Sequence, residues 1–112
     1  MIIHHLALRT DWDAALAIGE YRVSTRGLTL EQVGFLHAST PAQWPVVRER
    51  FYADLDDAEL VLLDIDVGVL TARGIEVVEE PGEPGGSELF PHIRGALPCD
   101  AVVATRRLSD RA

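Results

Sequence analysis

The segment that most constrains the fold is residues 60–65, Leu-Val-Leu-Leu-Asp-Ile, which is apolar at five of its six positions. A strand with one solvated face alternates apolar and polar residues, so a nearly continuous apolar run predicts a central strand covered on both faces. Helices and further strands must supply that cover. A chain of 112 residues is long enough for one such core, so we predict a single domain over residues 1–112.

The remaining patterns predict short strands around this central strand and two main helices. The first helix is capped by Thr10 or Asp11, carries Trp12, Ala15 and Leu16 on one face, and ends at Gly19, because glycine readily adopts the left-handed conformation. The second helix begins near residues 40–43 and extends to about residue 52, with Pro45 predicting a kink or a delayed start. Further strands are predicted at residues 2–8, 34–38, 75–79 and 101–105.

Charge and hydropathy exclude two classes of partner. The formal net charge of −8 repels a phosphate backbone, so extended nucleic-acid binding is not expected, although the cluster of Arg106, Arg107 and Arg111 is basic. No apolar run approaches the roughly 20 residues that span a membrane, and the first residues do not resemble a signal peptide. The lone Cys99 agrees with a reducing compartment. We therefore expect a cytoplasmic protein; the sequence carries no indication of its oligomeric state.

Three of the four histidines are the main indication of a site. His5, His37 and His92 occur at strand positions in apolar surroundings, where each must either have its own buried hydrogen-bond partner or line a cleft. Glu79 and Glu80 end another strand, and only one of these neighbours can face the same side of a sheet. We predict that the histidines and one glutamate share a cleft; the alternative is that each histidine braces the core separately.

Such a cleft fits three chemistries. Zinc would need three imidazoles in its coordination sphere, but the sequence has no HExxH motif and no paired CxxC motif, so we predict no metal site. General acid and base catalysis on a phosphate or glycosidic bond is the second, because imidazole titrates near neutral pH. Recognition of a nucleotide without turnover is the third. The residues alone leave the last two open.

Two segments carry a resemblance to a known family. Gly-Phe-Leu-His-Ala-Ser at residues 34–39 and Phe-Pro-His-Ile-Arg-Gly at residues 90–95 resemble, in order and spacing, the signature segments of the domain of unknown function 952 family. The Ile-Ile-His-His strand, Trp12, Tyr21 and Glu80 extend the likeness over essentially the whole chain. The resemblance implies a compact α+β domain with a split or mixed β-sheet, related to the ADP-ribosyltransferases, whose central cleft binds NAD.

The resemblance also implies roles for individual residues. His5 would hold a ribose hydroxyl, His37 and Ser39 would line the nicotinamide side, and Glu80 or His92 would stabilise a developing oxocarbenium charge. The catalytic candidates are therefore His37, His92 and Glu80, and the ligand-binding candidates are His5, Ser39, Tyr21 and Arg94. Arg94 replaces an aromatic residue of the family pattern, so it is either a phosphate contact or an outward, solvated arginine.

The first hypothesis is a small nucleotide-handling domain that binds or transforms NAD or ADP-ribose, as an ADP-ribosyl or phosphoryl transferase or as a hydrolase. NAD would be a substrate, and no resident cofactor is predicted. The alternative is a non-catalytic domain that senses a nucleotide or binds a protein partner. Fold analogy transfers geometry and not function, so the choice depends on the site itself.

Overall fold

The computed structural model describes residues 1–108, which form ten strands, four α-helices and two short 3-10 helices. Arg111, part of the predicted basic cluster, lies outside the described residues. In chain order the elements are β1 (Ile2–Leu8), α1 (Arg9–Ile18), β2 (Glu20–Tyr21), β3 (Val23–Thr25), β4 (Leu28–Thr29), α2 (Leu30–Val33), β5 (Leu36–His37), α3 (Trp44–Phe51), a 3-10 helix (Asp57–Glu59), β6 (Leu60–Asp66), α4 (Val67–Ala72), β7 (Val77–Pro81), β8 (Leu89–Ile93), β9 (Leu97–Pro98), a 3-10 helix (Cys99–Ala101) and β10 (Val102–Arg107).

Strand β6 is the centre of the first sheet, whose order is β1-β6-β10. Both neighbours are antiparallel to β6, and the register places His5 opposite Leu63 and Leu6 opposite Leu62. The apolar residues of β6 are at most 7% exposed. The predicted central strand is therefore confirmed.

The two faces of β6 contribute to different clusters of buried side chains. Leu63 and Ile65 pack with Ile3 of β1 in the larger cluster, which also contains Trp12 of α1 and parts of the second sheet. Leu60 and Leu62 point the other way and pack in a smaller cluster against Leu6, Tyr52 and residues of α3. Because successive side chains of a strand alternate between faces, one apolar run serves both clusters.

The second sheet has the order β5-β8-β7, and two pairs, β2-β9 and β3-β4, complete the strands. Every pairing between the strands described is antiparallel, so the predicted mixed sheet is wrong while the α+β class is confirmed. The two three-stranded sheets meet at one bridge, in which the amide of His4 donates to the Ser39 carbonyl at 2.8 Å and the amide of Ser39 donates back at 2.7 Å.

The predicted cap of α1 at Thr10 or Asp11 is wrong, because β1 runs directly into the helix, which starts at Arg9 with Leu8 and no side-chain cap at its N-terminus. The later helix boundaries agree with the sequence signals. Helix α1 ends at Gly19, whose φ of 92° is left-handed, and α3 starts late, at Trp44, with proline in its first turn. Leu16 was expected on the buried face of α1 but is 56% exposed, because the helix buries only Trp12 and Ala15. The strand expected at residues 34–38 contains only Leu36 and His37.

The side chain of His5 ties three elements together. Its Nδ1–H donates to the carbonyl oxygen of His37 in β5, and its Nε2 accepts from the Tyr21 hydroxyl of β2 at 3.0 Å. Burial lowers the pKa of His5 from 6.5 to about 4, so the ring is neutral near pH 7, as these two bonds require. Burial also raises the pKa of Tyr21, which keeps its hydroxyl a donor.

None of the helices within residues 1–108 is both long enough and apolar enough to cross a lipid bilayer.

Truncating Leu63 to alanine is expected to lower the free energy of unfolding by about 2 to 5 kcal/mol, because the side chain is fully buried and its removal leaves a cavity. Val103→Ala is the control, since Val103 is 56% exposed on β10 and its truncation should cost less than about 1 kcal/mol. Urea unfolding followed by circular dichroism measures both. Equal losses in the two variants would contradict the assignment of β6 as the central buried strand.

Lowering the pH from about 7.5 to about 5 is expected to destabilise the fold. The folded-state pKa of His5 lies below its unfolded value, so its contribution is complete above pH 6.5 and is lost as the pH falls towards 4. Over this interval the loss amounts to about 2 kcal/mol for one such histidine. Urea unfolding at both pH values should show it in the wild type, and His5→Gln should lose that part of the pH dependence. An unchanged dependence in the variant would contradict a buried neutral His5.

Candidate functional site

A cavity of about 120 Å³ opens beside the bridge between the two sheets, and we call it the histidine pocket. Strands β1, β3 and β5, helix α3 and the start of the loop after β7 supply its walls. Its polar lining residues are His5, Ser24, Thr25, His37, Ser39 and Tyr52, and its apolar ones are Leu6, Ala38, Val47, Phe51, Gly82 and Phe90.

His37 is the lining residue best suited to acid and base chemistry. It is partly buried, and its ring nitrogens have no hydrogen-bond partner among residues 1–108. Burial lowers the pKa of His37, and the neighbouring His92 ring lowers it further when that ring is charged. A neutral imidazole near pH 7 can accept a proton or a hydrogen bond from a ligand in the pocket.

His5 and Tyr21 lie deeper than His37. His5 lines the pocket, yet both of its ring nitrogens already bond to the His37 carbonyl and to the Tyr21 hydroxyl. Tyr21 is 1% exposed, lies edge-on to the His5 ring, and does not line the pocket. In this geometry the two residues form a fixed floor, and a ligand hydroxyl would have to displace one of these bonds to reach a nitrogen of His5.

His92, Glu80 and Arg94 form a chain of contacts outside the pocket. The His92 Nδ1–H donates to Glu80 Oε1 at 2.9 Å, and Arg94 donates to Glu80 Oε2 at 2.5 Å. The hydrogen bond from His92, assisted by Arg94, lowers the pKa of the Glu80 carboxyl. Glu80 therefore faces His92, whereas Glu79 is exposed.

The His92 ring is packed against aromatic neighbours. It is 1% exposed, stacks on Phe35 with 3.9 Å between ring centroids, and meets the His37 ring in a T-shaped contact at 5.0 Å. Its Nε2 is buried and has no hydrogen-bond partner among the described residues. Of the three catalytic candidates, His37 alone lines the pocket. His92 contacts the His37 ring, and Glu80 holds His92 in place.

Ser24 is a lining residue that sequence reasoning did not select, because it lies in no nucleophile motif. Its hydroxyl is fully buried and has no hydrogen-bond partner among the described residues. An unsatisfied buried hydroxyl costs about 1 to 3 kcal/mol, so a bound water or a ligand atom is expected to satisfy it. The only sequence signal is the alternation Val-Ser-Thr in β3, which turns Ser24 inward.

Two phenylalanines supply flat apolar walls. Phe51 ends α3 and is 57% exposed at the pocket, where the guanidinium of Arg50 lies 5.4 Å from its ring centroid. The Phe90 ring lies against the backbone of Gly82, where a Cβ would stand 2.6 Å from the ring. Gly82 thus permits the position of Phe90. The sequence of the glycine-rich loop does not by itself indicate this packing role.

Metal binding requires several ligands close together. Within residues 1–108 no three histidine, cysteine or carboxylate side chains converge in this way.

Comparison with solved structures finds protein CC0527 from Caulobacter crescentus. Its crystal structure matches with a TM-score of 0.76 and 26% sequence identity, covering 95% of this chain and 84% of that chain. The crystal structure of a double mutant of the same protein gives 0.76 and 25%, again over 95% and 84% of the two chains. The solution NMR structure gives 0.72 and 26%, over 96% of this chain and 84% of that one.

The sequence comparisons are consistent with this likeness. No curated protein matches the sequence. The sequence model of the family described as "Protein of unknown function (DUF952)" matches residues 6–105, which include every candidate residue of the site except His5. The match spans far more than half of the chain, so the protein belongs to the DUF952 family.

Proposed function

We propose that the protein binds an NAD- or ADP-ribose-type nucleotide, with one ring of the ligand in the histidine pocket. The observation that carries the proposal is the buried Ser24 hydroxyl, which lacks a partner among the described residues and lines a small pocket with aromatic walls. A site built in this way is mainly apolar, with a few polar groups that fix orientation.

The size of the pocket favours a single planar ring. A volume of about 120 Å³ is below the range of sites that enclose a drug-sized ligand, so the rest of a nucleotide would extend outside. Phe51 and Phe90 offer faces for stacking, and the hydroxyls of Ser24 and Ser39 offer donors and acceptors at its edge. The carboxamide of nicotinamide is a planar group that complements both kinds of hydroxyl contact.

The choice of NAD rests on the resemblance to a family with an ADP-ribosyltransferase-like fold, which the two histidine segments carry. The same resemblance supports His5 and Tyr21 as part of the ligand site. Arg94 departs from the family pattern; it pairs with Glu80 outside the pocket and would contact a phosphate of the part of the nucleotide that extends from it. A cytoplasmic location belongs to this proposal as well, because NAD is abundant there.

Binding is the function that the geometry favours over turnover. Transfer of ADP-ribose breaks the bond between nicotinamide and the ribose C1′ carbon and needs negative charge near that carbon. Glu80 is held by His92 and Arg94 and does not line the pocket, so it would have to exchange partners to act there. Nucleotide sensing without turnover is therefore the function to test first. If turnover is found, His37 is the candidate base.

Titration with NAD, ADP-ribose and nicotinamide separately is expected to shift the NMR signals of the His37 ring and of the Ser24 and Ser39 amides. Nicotinamide and NAD should shift the same pocket signals, whereas ADP-ribose should leave those of Ser24 less affected, because it lacks the ring. Two-dimensional NMR in metal-free buffer measures this. The absence of any response to millimolar ligand would contradict the proposal.

Removing one stacking wall is expected to weaken NAD binding about tenfold, because stacking on an aromatic side chain contributes about 1 to 3 kcal/mol per ring. The variant is Phe51→Ala, and Val46→Ala is the control, since both side chains are exposed on α3 but only Phe51 lines the pocket. Isothermal titration calorimetry measures both affinities.

Ser24→Ala removes the buried hydroxyl and is expected to weaken binding by a factor of about 2 to 10, the value of one hydrogen bond. Equal affinities in the wild type, Phe51→Ala and Ser24→Ala would place the ligand elsewhere on the protein.

A further inference from the structure

A second cavity lies between α1 and the edge strand β10. Its volume is about 490 Å³, which falls within the roughly 300 to 1,000 Å³ of small-molecule sites. Among the described residues it shares no lining residue with the histidine pocket. We call it the arginine pocket, after Arg9 on α1 and Arg106 and Arg107 on β10; Trp12, Asp13 and Leu16 also line it.

Two of the three arginines of this pocket differ from most others among the described residues. The arginines that pair with a carboxylate are Arg22, Arg26, Arg48, Arg73, Arg94 and Arg106. Within residues 1–108, Arg9, Arg50 and Arg107 have no carboxylate at ion-pair distance. Two of these three line the arginine pocket. In a chain of net charge −8, two guanidinium groups without an ion-pair partner among residues 1–108 thus line one cavity, together with the carboxylate of Asp13.

The positions of the two arginines suit a bound anion. The Nε–H of Arg9 donates to the carbonyl oxygen of Ala58 at 3.0 Å, which holds the guanidinium in place and leaves its terminal nitrogens for another acceptor. Arg107, on β10, also lines the cavity and is exposed. Guanidinium groups bind phosphate through paired N–H donors, and an anchored one loses less side-chain entropy on binding.

The wall beside the arginines is apolar. Trp12 lines the pocket, and Leu16, which sequence periodicity assigned to the core, is 56% exposed beside it. Trp12 is only 7% exposed, so a planar apolar body would rest mainly on Leu16 and contact the accessible part of Trp12. Asp13 adds one acceptor for a hydroxyl or amine of the ligand. We propose that the arginine pocket binds a small phosphate monoester whose phosphate lies between Arg9 and Arg107 and whose ring covers Trp12 and Leu16.

Phenyl phosphate is the probe, because it carries the phosphate and the ring without any nucleotide group that the histidine pocket would recognise. Inorganic phosphate, phenol and benzoate are titrated separately, to compare the phosphate alone, the ring alone and a carboxylate on the same ring. Two-dimensional NMR should show shifts at the Trp12 indole and the Arg9 amide and none at the His37 ring, with phenyl phosphate binding more tightly than each of the other three.

The variants Arg9→Gln and Arg107→Gln are each expected to weaken phenyl phosphate binding at least fivefold. Arg50→Gln is the matched control, since it removes the same charge from an arginine that also lacks a carboxylate partner but lies outside the arginine pocket; it should change the affinity less than twofold. Arg107 is exposed, so its variant keeps the test valid if Arg9→Gln unfolds.

Three results would overturn the proposal. The first is no shift at the Trp12 indole at millimolar phenyl phosphate. The second is an equal loss of affinity in Arg9→Gln, Arg107→Gln and Arg50→Gln, which would indicate attraction to overall charge and not to a site. The third is benzoate or inorganic phosphate binding as tightly as phenyl phosphate. None of these results depends on whether the histidine pocket binds a nucleotide.

Discussion

The hydrogen bonds of His5 are the interactions on which the arrangement of the two sheets depends. The backbone of the preceding residue, His4, pairs with Ser39, and the side chain of His5 bonds to the His37 carbonyl and to Tyr21. Consecutive residues of one strand thus fasten β1 to the same segment of chain, once through the main chain and once through a side chain. The histidine pocket opens at this junction, so its floor is as rigid as the fold itself.

The histidines near the pocket have different roles. His5 and His92 support the surrounding structure, and His37 is available to a ligand. Both ring nitrogens of His5 bond to protein partners, whereas His92 is enclosed by Phe35, held by Glu80 at Nδ1 and without a partner among the described residues at Nε2. Of these three histidines, His37 is the one whose two ring nitrogens both lack a hydrogen-bond partner within residues 1–108. An imidazole can be placed accurately when packing and hydrogen bonds restrict the groups around it. The three histidines are therefore not equivalent. The ring of His37 can contact a ligand, and the other two rings support the site.

The sequence predicted the features that depend on the residue itself and its neighbours in the chain. The apolar run of β6, the left-handed Gly19 and the proline of α3 each act through the backbone or through simple burial, and each was predicted correctly. The exposure of Leu16, the short β5 and the Ser24 hydroxyl depend on which segments meet across the fold. Contacts between residues distant in the chain leave no periodic signal, so of the twelve described residues that line the pocket only His5, His37 and Ser39 were predicted.

The open edge of the first sheet has a consequence for association between copies of the protein. Strand β1 is bridged at His4 by Ser39, and β10 is the opposite edge of the sheet, where no further strand pairs among residues 1–108. A strand from another molecule can pair with an exposed sheet edge, and natural proteins oppose such pairing with charged side chains and bulges. Strand β10 has both, in Arg106, Arg107 and the register shift between Val102 and Ala104. These features oppose sheet extension and aggregation at an edge that lies beside Leu16, an exposed apolar residue of α1.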